Sequence, residues 1–373
     1  MARSFRKTRS LSRRGQQKWG QIGLIAGAVV LVAVLIYIIF FTGLFHKTES
    51  FVPLGSTGTF EIAASDTRSI YHLQGSTLHK LDAKGKVLWS AQYTQTDLAL
   101  AVGRDVICLY NKETATILDT AQNPLVNIPK SEFTIHQVVC GNNSVALLST
   151  IEGSATEYIR VFNMEGIELH RYKVENTKVL KMGFFDKSDN LWYLTLDVSG
   201  VAPISRIFTA SPAQQNLTAN YEIYGQLVSD ACFWNTDIYI SDTHALTAYD
   251  TFNTELSQTR IYGTKLIDTH YTKDDLFFAY VPVNNAENML GTVRVISKNG
   301  SDTLIQLPSG IYHVALSDKY IYCFSENAIY LYHYDGKYAK GLTLDFSVAS
   351  FQKLCDNLVL LRTDEDSFLY KLA

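Results

Sequence analysis

From residue 51 to the end of this 373-residue chain, short strand-forming runs return at a nearly regular interval. Lys319-Tyr320-Ile321-Tyr322-Cys323-Phe324 and Ala328-Ile329-Tyr330-Leu331-Tyr332-His333-Tyr334 are dense in aromatic and β-branched residues, which fit a pleated, half-buried surface. Between such runs stand Asp335-Gly336-Lys337, Asn299-Gly300-Ser301 and Glu165-Gly166, residues that turn a hairpin without steric cost. Aligned on these turns, each unit reads as four strands. The units start near Phe60, Leu98, Ile135, Leu180, Ser229, Asp268, Tyr312 and Phe351, spaced 37 to 49 residues apart. Four strands in roughly 40 to 50 residues is the period of a propeller blade, and neither a sandwich nor a parallel solenoid repeats that way. The expected fold is all-β, an eight-bladed β-propeller. Seven blades is the competing count, because Asn111–Lys130 reads irregularly.

The chain's last unit is short by one strand. After Ser350 only Phe351–Leu354, Leu358–Thr363 and Ser367–Leu372 read as strands, and a fourth is available at Phe51–Ser56. Closing the ring with that segment would pair both terminal edges, which otherwise invite aggregation.

Ahead of the repeats, Ile22–Phe41 (IGLIAGAVVLVAVLIYIIFF) has no charged, amide or hydroxyl side chain except the phenol of Tyr37. As a helix it would reach roughly 30 Å, the hydrocarbon thickness of a bilayer. Arg3, Arg6, Lys7, Arg9, Arg13, Arg14 and Lys18 precede it, with no acidic residue among the first twenty. Cations flanking a span stay cytoplasmic, which predicts a single-pass cell-membrane protein with its N-terminus inside and its bulk extracytoplasmic. The implied organisation is a basic tail (1–20), a transmembrane helix (21–42), a juxtamembrane link (43–50) and a propeller (51–373) closed by its N-terminal strand. A cleaved signal would end in small residues rather than Phe40-Phe41-Thr42-Gly43-Leu44-Phe45. A lipoprotein would need a Cys directly after the apolar run, and the first is Cys108. Arg13-Arg14 hints at a twin-arginine signal, but the run is too hydrophobic for that route. Gly23 and Gly27 form a small-xxx-small spacing that lets two such helices pack as a weak homodimer. The link Thr42–Ser50 extends at most about 30 Å, which favours partners in or near the membrane.

The seven tail cations leave 26 basic against 36 acidic residues in the remainder, a net charge near −10 that repels nucleic acid. Cys108, Cys140, Cys232, Cys323 and Cys355 are odd in number, widely spaced and set mostly in apolar runs, so buried free thiols are expected. Asn142, Asn216 and Asn299 begin glycosylation sequons, which matter only in a eukaryotic secretory route. No nucleophile elbow, zinc-protease helix, Walker or dinucleotide-binding glycine pattern occurs, and the acidic turn Asp364-Glu365-Asp366 lacks the ligand count and glycine of a calcium loop. The expectation is therefore no catalytic residue, no metal and no cofactor.

One constellation rises above this background. Five residues before the first turn of each repeat stand Glu61, Leu98, His136, Lys181, Asp230, Asp268, His313 and Gln352, polar or ionisable in seven of eight units. In a propeller the first strand of a blade lines the central channel and alternate side chains point into it. Glu61, His136, Lys181, Asp230, Asp268, His313 and Gln352 are thus a candidate binding ring at one channel mouth. The plainer account makes them solvated strand ends.

Leu78-His79-Lys80-Leu81-Asp82-Ala83-Lys84-Gly85-Lys86-Val87-Leu88-Trp89 resembles the blade motif of quinoprotein (PQQ)-like propellers, with WD40-type relatives in architecture. Tyr334-Asp335-Gly336-Lys337 and Phe162-Asn163-Met164-Glu165-Gly166 echo it without the Trp. The resemblance implies that the Asp-Gly turn and the Trp dock neighbouring blades. It does not extend to a quinone cradle or its calcium site. The whole architecture is also similar to an uncharacterised family of membrane-anchored propellers in Gram-positive bacteria. Together these readings predict a non-catalytic interaction platform for a membrane-proximal envelope protein or glycan. The alternative is a small-ligand sensor, or an enzyme of quinoprotein-like or hydrolytic type, at the channel mouth.

Overall fold

The computed structural model describes residues 51–55, 60–121, 123–185, 188–250, 252–284 and 289–373. Over these residues the chain forms eight antiparallel sheets of four strands each. Blades 1 to 7 are consecutive in sequence: 61–92, 99–128, 133–174, 178–224, 230–260, 264–306 and 311–343. Blade 8 contains Ser350–Cys355, Leu358–Arg362 and Ser367–Lys371, and its outermost strand is Phe51–Pro53, with Phe51 opposite Tyr370 and Pro53 opposite Phe368. The first strands of adjacent blades approach one another, those of blades 8 and 1 included, so the first strand is innermost and the ring is closed. The span read at Ile22–Phe41, with Gly23 and Gly27, lies outside the described residues. Among the described residues no helix is long and apolar enough to cross a membrane.

The irregular stretch after Asn111 resolves into the outer half of blade 2, which removes the seven-blade count. Ala115–Asp119 pairs with Pro124–Ile128. Their turn is held by Asp119 Oδ1, which accepts the N–H groups of Ala121 (2.9 Å) and Asn123 (2.8 Å). Pro124 opens an outermost strand, where a missing N–H leaves no ladder bond unmade.

Strand direction defines two faces of the ring. Turns between the first and second strands, and between the third and fourth, lie on one face, here called the turn face. The turns between second and third strands and the links from one blade to the next lie on the other, the link face. Phe51 and Ala373 both stand on the turn face, as the antiparallel pairing of Phe51–Pro53 with Ser367–Lys371 requires.

Apolar packing lies between blades rather than at one centre. Val281 and Val293 of blade 6 meet Val314 and Cys323 of blade 7, and Ile62 and Ile70 of blade 1 meet Leu358 and Leu360 of blade 8. Each such side chain contributes roughly 1.5–3 kcal/mol on burial. The five thiols are free; Cys108, Cys232 and Cys323 are buried, and burial pushes the Cys140 thiol up to about 12, so it stays protonated and inert.

The Asp-Gly turns reveal a shared docking device. Asp82 Oδ1 accepts the N–H groups of Lys84 (2.8 Å) and Lys86 (2.9 Å), and Gly85 (φ +74°) sits so close to the outermost strand of blade 8 that a Cβ there would lie 2.8 Å from Val52 Cγ1. Gly166 (φ +76°) bears equally on blade 2, where a Cβ would approach Val126 Cγ2 to 2.5 Å. In both turns the left-handed backbone and the close approach together demand glycine. Trp89 packs on Tyr71 (6.2 Å between ring centres) in a cluster shared with Ile107 and Leu109 of blade 2.

Blades 8 and 1 also meet through an aromatic stack. The Arg362 guanidinium lies 4.3 Å over Phe60, and the buried His72 ring lies 4.6 Å from Phe60 on blade 1's side. Burial, with the charges of His79 and Arg362 assisting, lowers the His72 pKa to about 4. An unfolded chain binds a proton at this residue near pH 6.5, whereas the folded ring refuses it until about pH 4. Stability should therefore be unaffected by His72 above pH 6.5 and fall between about pH 6.5 and 4. After solvent screening we expect a loss of about 2 kcal/mol, flattening below that window. Urea midpoints measured from pH 7 to 4 should show this decline in the native chain and a shallower one in His72→Phe; parallel curves would refute the assignment.

Candidate functional site

The structure distributes the candidate ring among several local arrangements. Glu61 Oε2 accepts the Leu100 N–H at 2.8 Å, joining the innermost strands of blades 1 and 2. His136 Nε2 and Thr150 Oγ1 are 2.7 Å apart within blade 3. Lys181 pairs with Asp230 across blades 4 and 5 (2.9 Å), with side chains 46% and 29% exposed. Gln352 is exposed, and His313 stacks on Phe351 at 5.1 Å, its pKa lowered by burial.

Asp268 departs most from a solvated strand end. Its Oδ2 accepts the Leu316 N–H of blade 7 (2.7 Å) and the Lys353 ammonium of blade 8 (2.7 Å), while Oδ1 takes a second bond from Lys353 (2.9 Å) and its neighbour's N–H from Thr269 (2.9 Å). Lys353 Nζ also donates to Leu316 O at 3.3 Å. One carboxylate from blade 6 and one ammonium from blade 8 thus clamp the backbone of blade 7 between them. The side chains are 11% and 18% exposed; burial raises the Asp268 carboxyl, against the pull of Lys353. This is a structural staple.

The reason is a recurrent β-bulge. Register slips by one residue between Ile135 and Gln137, Val179 and Lys181, Leu266 and Asp268, and Ile311 and His313. Strict alternation along a strand fails by one position at each bulge, which re-aims every side chain beyond it. Lys353 was invisible to the alternation for the same reason, since it stands beside a slip between itself and Cys355.

Exposed apolar residues reveal a second feature, on the link face. Val198 (70%), Val201 (fully exposed), Tyr224 (64%), Leu227, Tyr262 (78%) and Val283 lie on blades 4 to 6, and Tyr312 continues the series onto blade 7. Backbone and side-chain bonds tie these segments into one ridge. Gly225 N–H donates to Pro203 O (2.8 Å), Thr243 Oγ1 to Gln226 Oε1 (2.8 Å), and Val283 N–H to Gly263 O (2.9 Å), while Leu290 N–H reaches Ile311 O at 2.7 Å. Exposed apolar residues on the turn face, such as Leu125, Ile167, Leu217 and Phe252, fall on separate blades, as scattered surface residues ordinarily do.

At the blade 7 end of the ridge, Tyr312 and His313 form the common wall of two cavities. One, about 400 Å³, lies between blades 6 and 7 and is lined by Ile267, Val281, Val283, Leu290 and Val314, with Lys265 also on its wall. The other, about 360 Å³, lies between blades 7 and 8 and carries the carboxylates of Glu326 and Asp364. Sequence reading passed over Tyr312, Lys265 and Glu326 as site residues: Tyr312 and Lys265 stand near the starts of innermost strands, outside the positions counted back from the turns, and Glu326 lies in a turn. It took Asp364 only as part of an acidic turn that lacks the ligands of a calcium loop.

At the turn-face end of the channel a cavity of about 430 Å³ is bordered by Asp66, Arg104, Gly141 and Phe184. Its carboxylate is occupied locally, since Asp66 Oδ1 accepts the N–H groups of Arg68 and Ser69, both at 2.7 Å. Among the described residues no group of three or more His, Cys, Asp or Glu side chains could hold a metal ion.

Solved propellers align with most of the chain. BamB from Moraxella catarrhalis superposes with a TM-score of 0.54 at 11% identity, over 84% of this chain and 96% of its own. The WD40 domain of SCAP from fission yeast gives 0.60 at 9% identity, over 86% and 98%. The dihydro-heme d1 dehydrogenase NirN gives 0.56 at 10%, over 86% and 77%. A WD40 domain and a dehydrogenase share this architecture, so these likenesses show the fold alone. No functionally curated protein matches the sequence. Residues 68–365 match the model of the family of unknown function DUF5711, and the chain belongs to that family.

Proposed function

We propose that this protein is a non-catalytic platform, anchored in the cell membrane by residues 21–42 with its N-terminus cytoplasmic, that binds an envelope protein through the link face of its propeller. The observation that carries this reading is the series of exposed apolar and aromatic residues along the link face of blades 4 to 7, from Val198 to Tyr312. Tyrosines are enriched at protein-binding hot spots, and the core of an interface is more apolar than the surrounding surface. A glycan would call for aromatic faces among dense hydroxyl and amide groups, which fits this ridge less well. The anchor is supported by the apolar run at Ile22–Phe41, the tail cations and the resemblance to membrane-anchored propellers of Gram-positive bacteria. The non-catalytic reading is supported by the dispersal of the ionisable ring into separate pairs and caps. A second reading, a small-ligand sensor or enzyme, draws on the turn-face cavity beside Asp66 and Arg104.

The test is photocrosslinking in cells. Benzoylphenylalanine placed at Tyr262 on the ridge should capture a discrete protein partner, and the same group at Phe252 on the turn face should not. No capture from position 262, or equal capture from both, would remove the link-face platform.

A further inference from the structure

The wall between the two cavities has a chemistry that specifies more than a generic protein partner. We infer that the cleft around Tyr312 seats an extended segment of a partner protein carrying an apolar side chain next to a basic one, the apolar side chain entering between blades 6 and 7 and the cation between blades 7 and 8. This rests on the platform reading and names the chemistry of the partner at one end of the ridge.

Five of the nine residues lining the cavity between blades 6 and 7 are aliphatic (Ile267, Val281, Val283, Leu290 and Val314), with polar surface between them. Transfer of a Leu- or Phe-sized group into such a cleft is the ordinary source of binding energy at an interface. The neighbouring cavity carries Glu326 and Asp364 and no Lys or Arg on its lining. Ser347 Oγ donates to Glu326 Oε1 at 2.7 Å, which fixes that carboxylate and leaves its second oxygen for a ligand. His313, in the shared wall, has its pKa lowered by burial and so adds no positive charge at neutral pH. Lys265 on the apolar side disfavours a cation there, so the two sites discriminate polarity by repulsion as well as attraction.

The geometry suits a peptide better than a compact ligand. Along an extended segment, side chains two residues apart lie on the same face, roughly 7 Å from each other. Two cavities that share the Tyr312–His313 wall could each take one side chain from the same face of such a segment. Tyr312 is the bulged residue of its strand and is 39% exposed, so it stands out from the wall as a stacking surface between them. The remaining ridge would accept the rest of the partner.

The experiment uses the full-length chain in detergent micelles and fluorescein-labelled dodecapeptides with a Gly-Ser frame. One series carries Leu and Arg two residues apart; controls carry Leu alone, Arg alone, or Leu with Glu. The Leu-Arg series should bind at least tenfold more tightly than every control by fluorescence anisotropy. In the Glu326→Lys/Asp364→Lys variant the preference should invert toward Leu-Glu, while Val283→Asp should weaken all Leu-bearing peptides. Circular dichroism melting would establish that both variants are folded. No preference for charge sign, or a preference unchanged by the reversal, overturns the inference. Should the full chain instead self-associate and the charge reversal dissolve the dimer, the occupant is a second copy and the partner assignment falls. If position 262 captures a partner whose yield is indifferent to the charge reversal, this seat is refuted and the platform reading stands.

Discussion

Asp268→Ala should lower the stability of the ring by about 3 to 5 kcal/mol, the largest effect expected of any single polar substitution in the innermost strands. The substitution leaves the Lys353 ammonium, 18% exposed, without its carboxylate, and removes the acceptor for the Leu316 N–H. A buried charge deprived of its partner bears the full cost of desolvation, whereas replacing both partners by apolar groups does not. Asp268→Leu with Lys353→Met should therefore recover most of the loss. Asp230→Ala, which breaks a pair with side chains 46% and 29% exposed, should cost less than about 1 kcal/mol. Urea denaturation of the three variants beside the native chain decides the matter. A midpoint for Asp268→Ala equal to that of Asp230→Ala would return the residue to the status of a solvated strand end.

Removing the closing strand should have an effect of similar size and a different character. Phe51 stacks on Tyr370 (4.8 Å) and meets Phe346 edge-on (5.3 Å), Val52 lies beneath the Gly85 turn, and Leu54 N–H donates to Ser367 O at 2.9 Å. A chain beginning at residue 60 loses these contacts, about 4 kcal/mol of apolar burial by side-chain bookkeeping. It also exposes the edge of Ser367–Lys371 to pairing with other molecules. Such a chain should melt lower and self-associate in sedimentation runs, while one beginning near residue 46 should remain monodisperse. Indistinguishable melting of the two would reduce residues 51–53 to a linker.

The architecture was legible because hairpin turns mark each strand end and the repeat is long. Asp335-Gly336 and Glu165-Gly166 punctuate the blades as their residue chemistry demands, and the three-strand remainder after Ser350 counts out to eight once Asp119–Pro124 is understood as a turn. The candidate site was much less legible. Alternation assigned Asp268 and His313 to the channel, but a bulge ahead of each turned one into an inter-blade clamp and set the other on Phe351. Residues such as Tyr262, Val201 and Glu326 belong to links and turns, where side-chain direction follows from neighbouring blades and not from any local period. Asn111–Lys130 failed for a related reason: its strands are ordinary, and the Asx turn and the proline at an outer edge disguise them.

The staple below Tyr312 bears on how tightly that cleft could hold anything. Lys353 of blade 8 and Asp268 of blade 6 grip the backbone of blade 7 from either side, close to where Phe351 and Ile267 wall the cavity next to it. The strand that carries the shared Tyr312–His313 wall is thereby pinned at Leu316 to both neighbouring blades, and a segment entering the clefts would lose its own conformational freedom without having to order that strand as well. Selectivity at such a seat comes from the shape and charge already present, and adaptation would have to come from the partner.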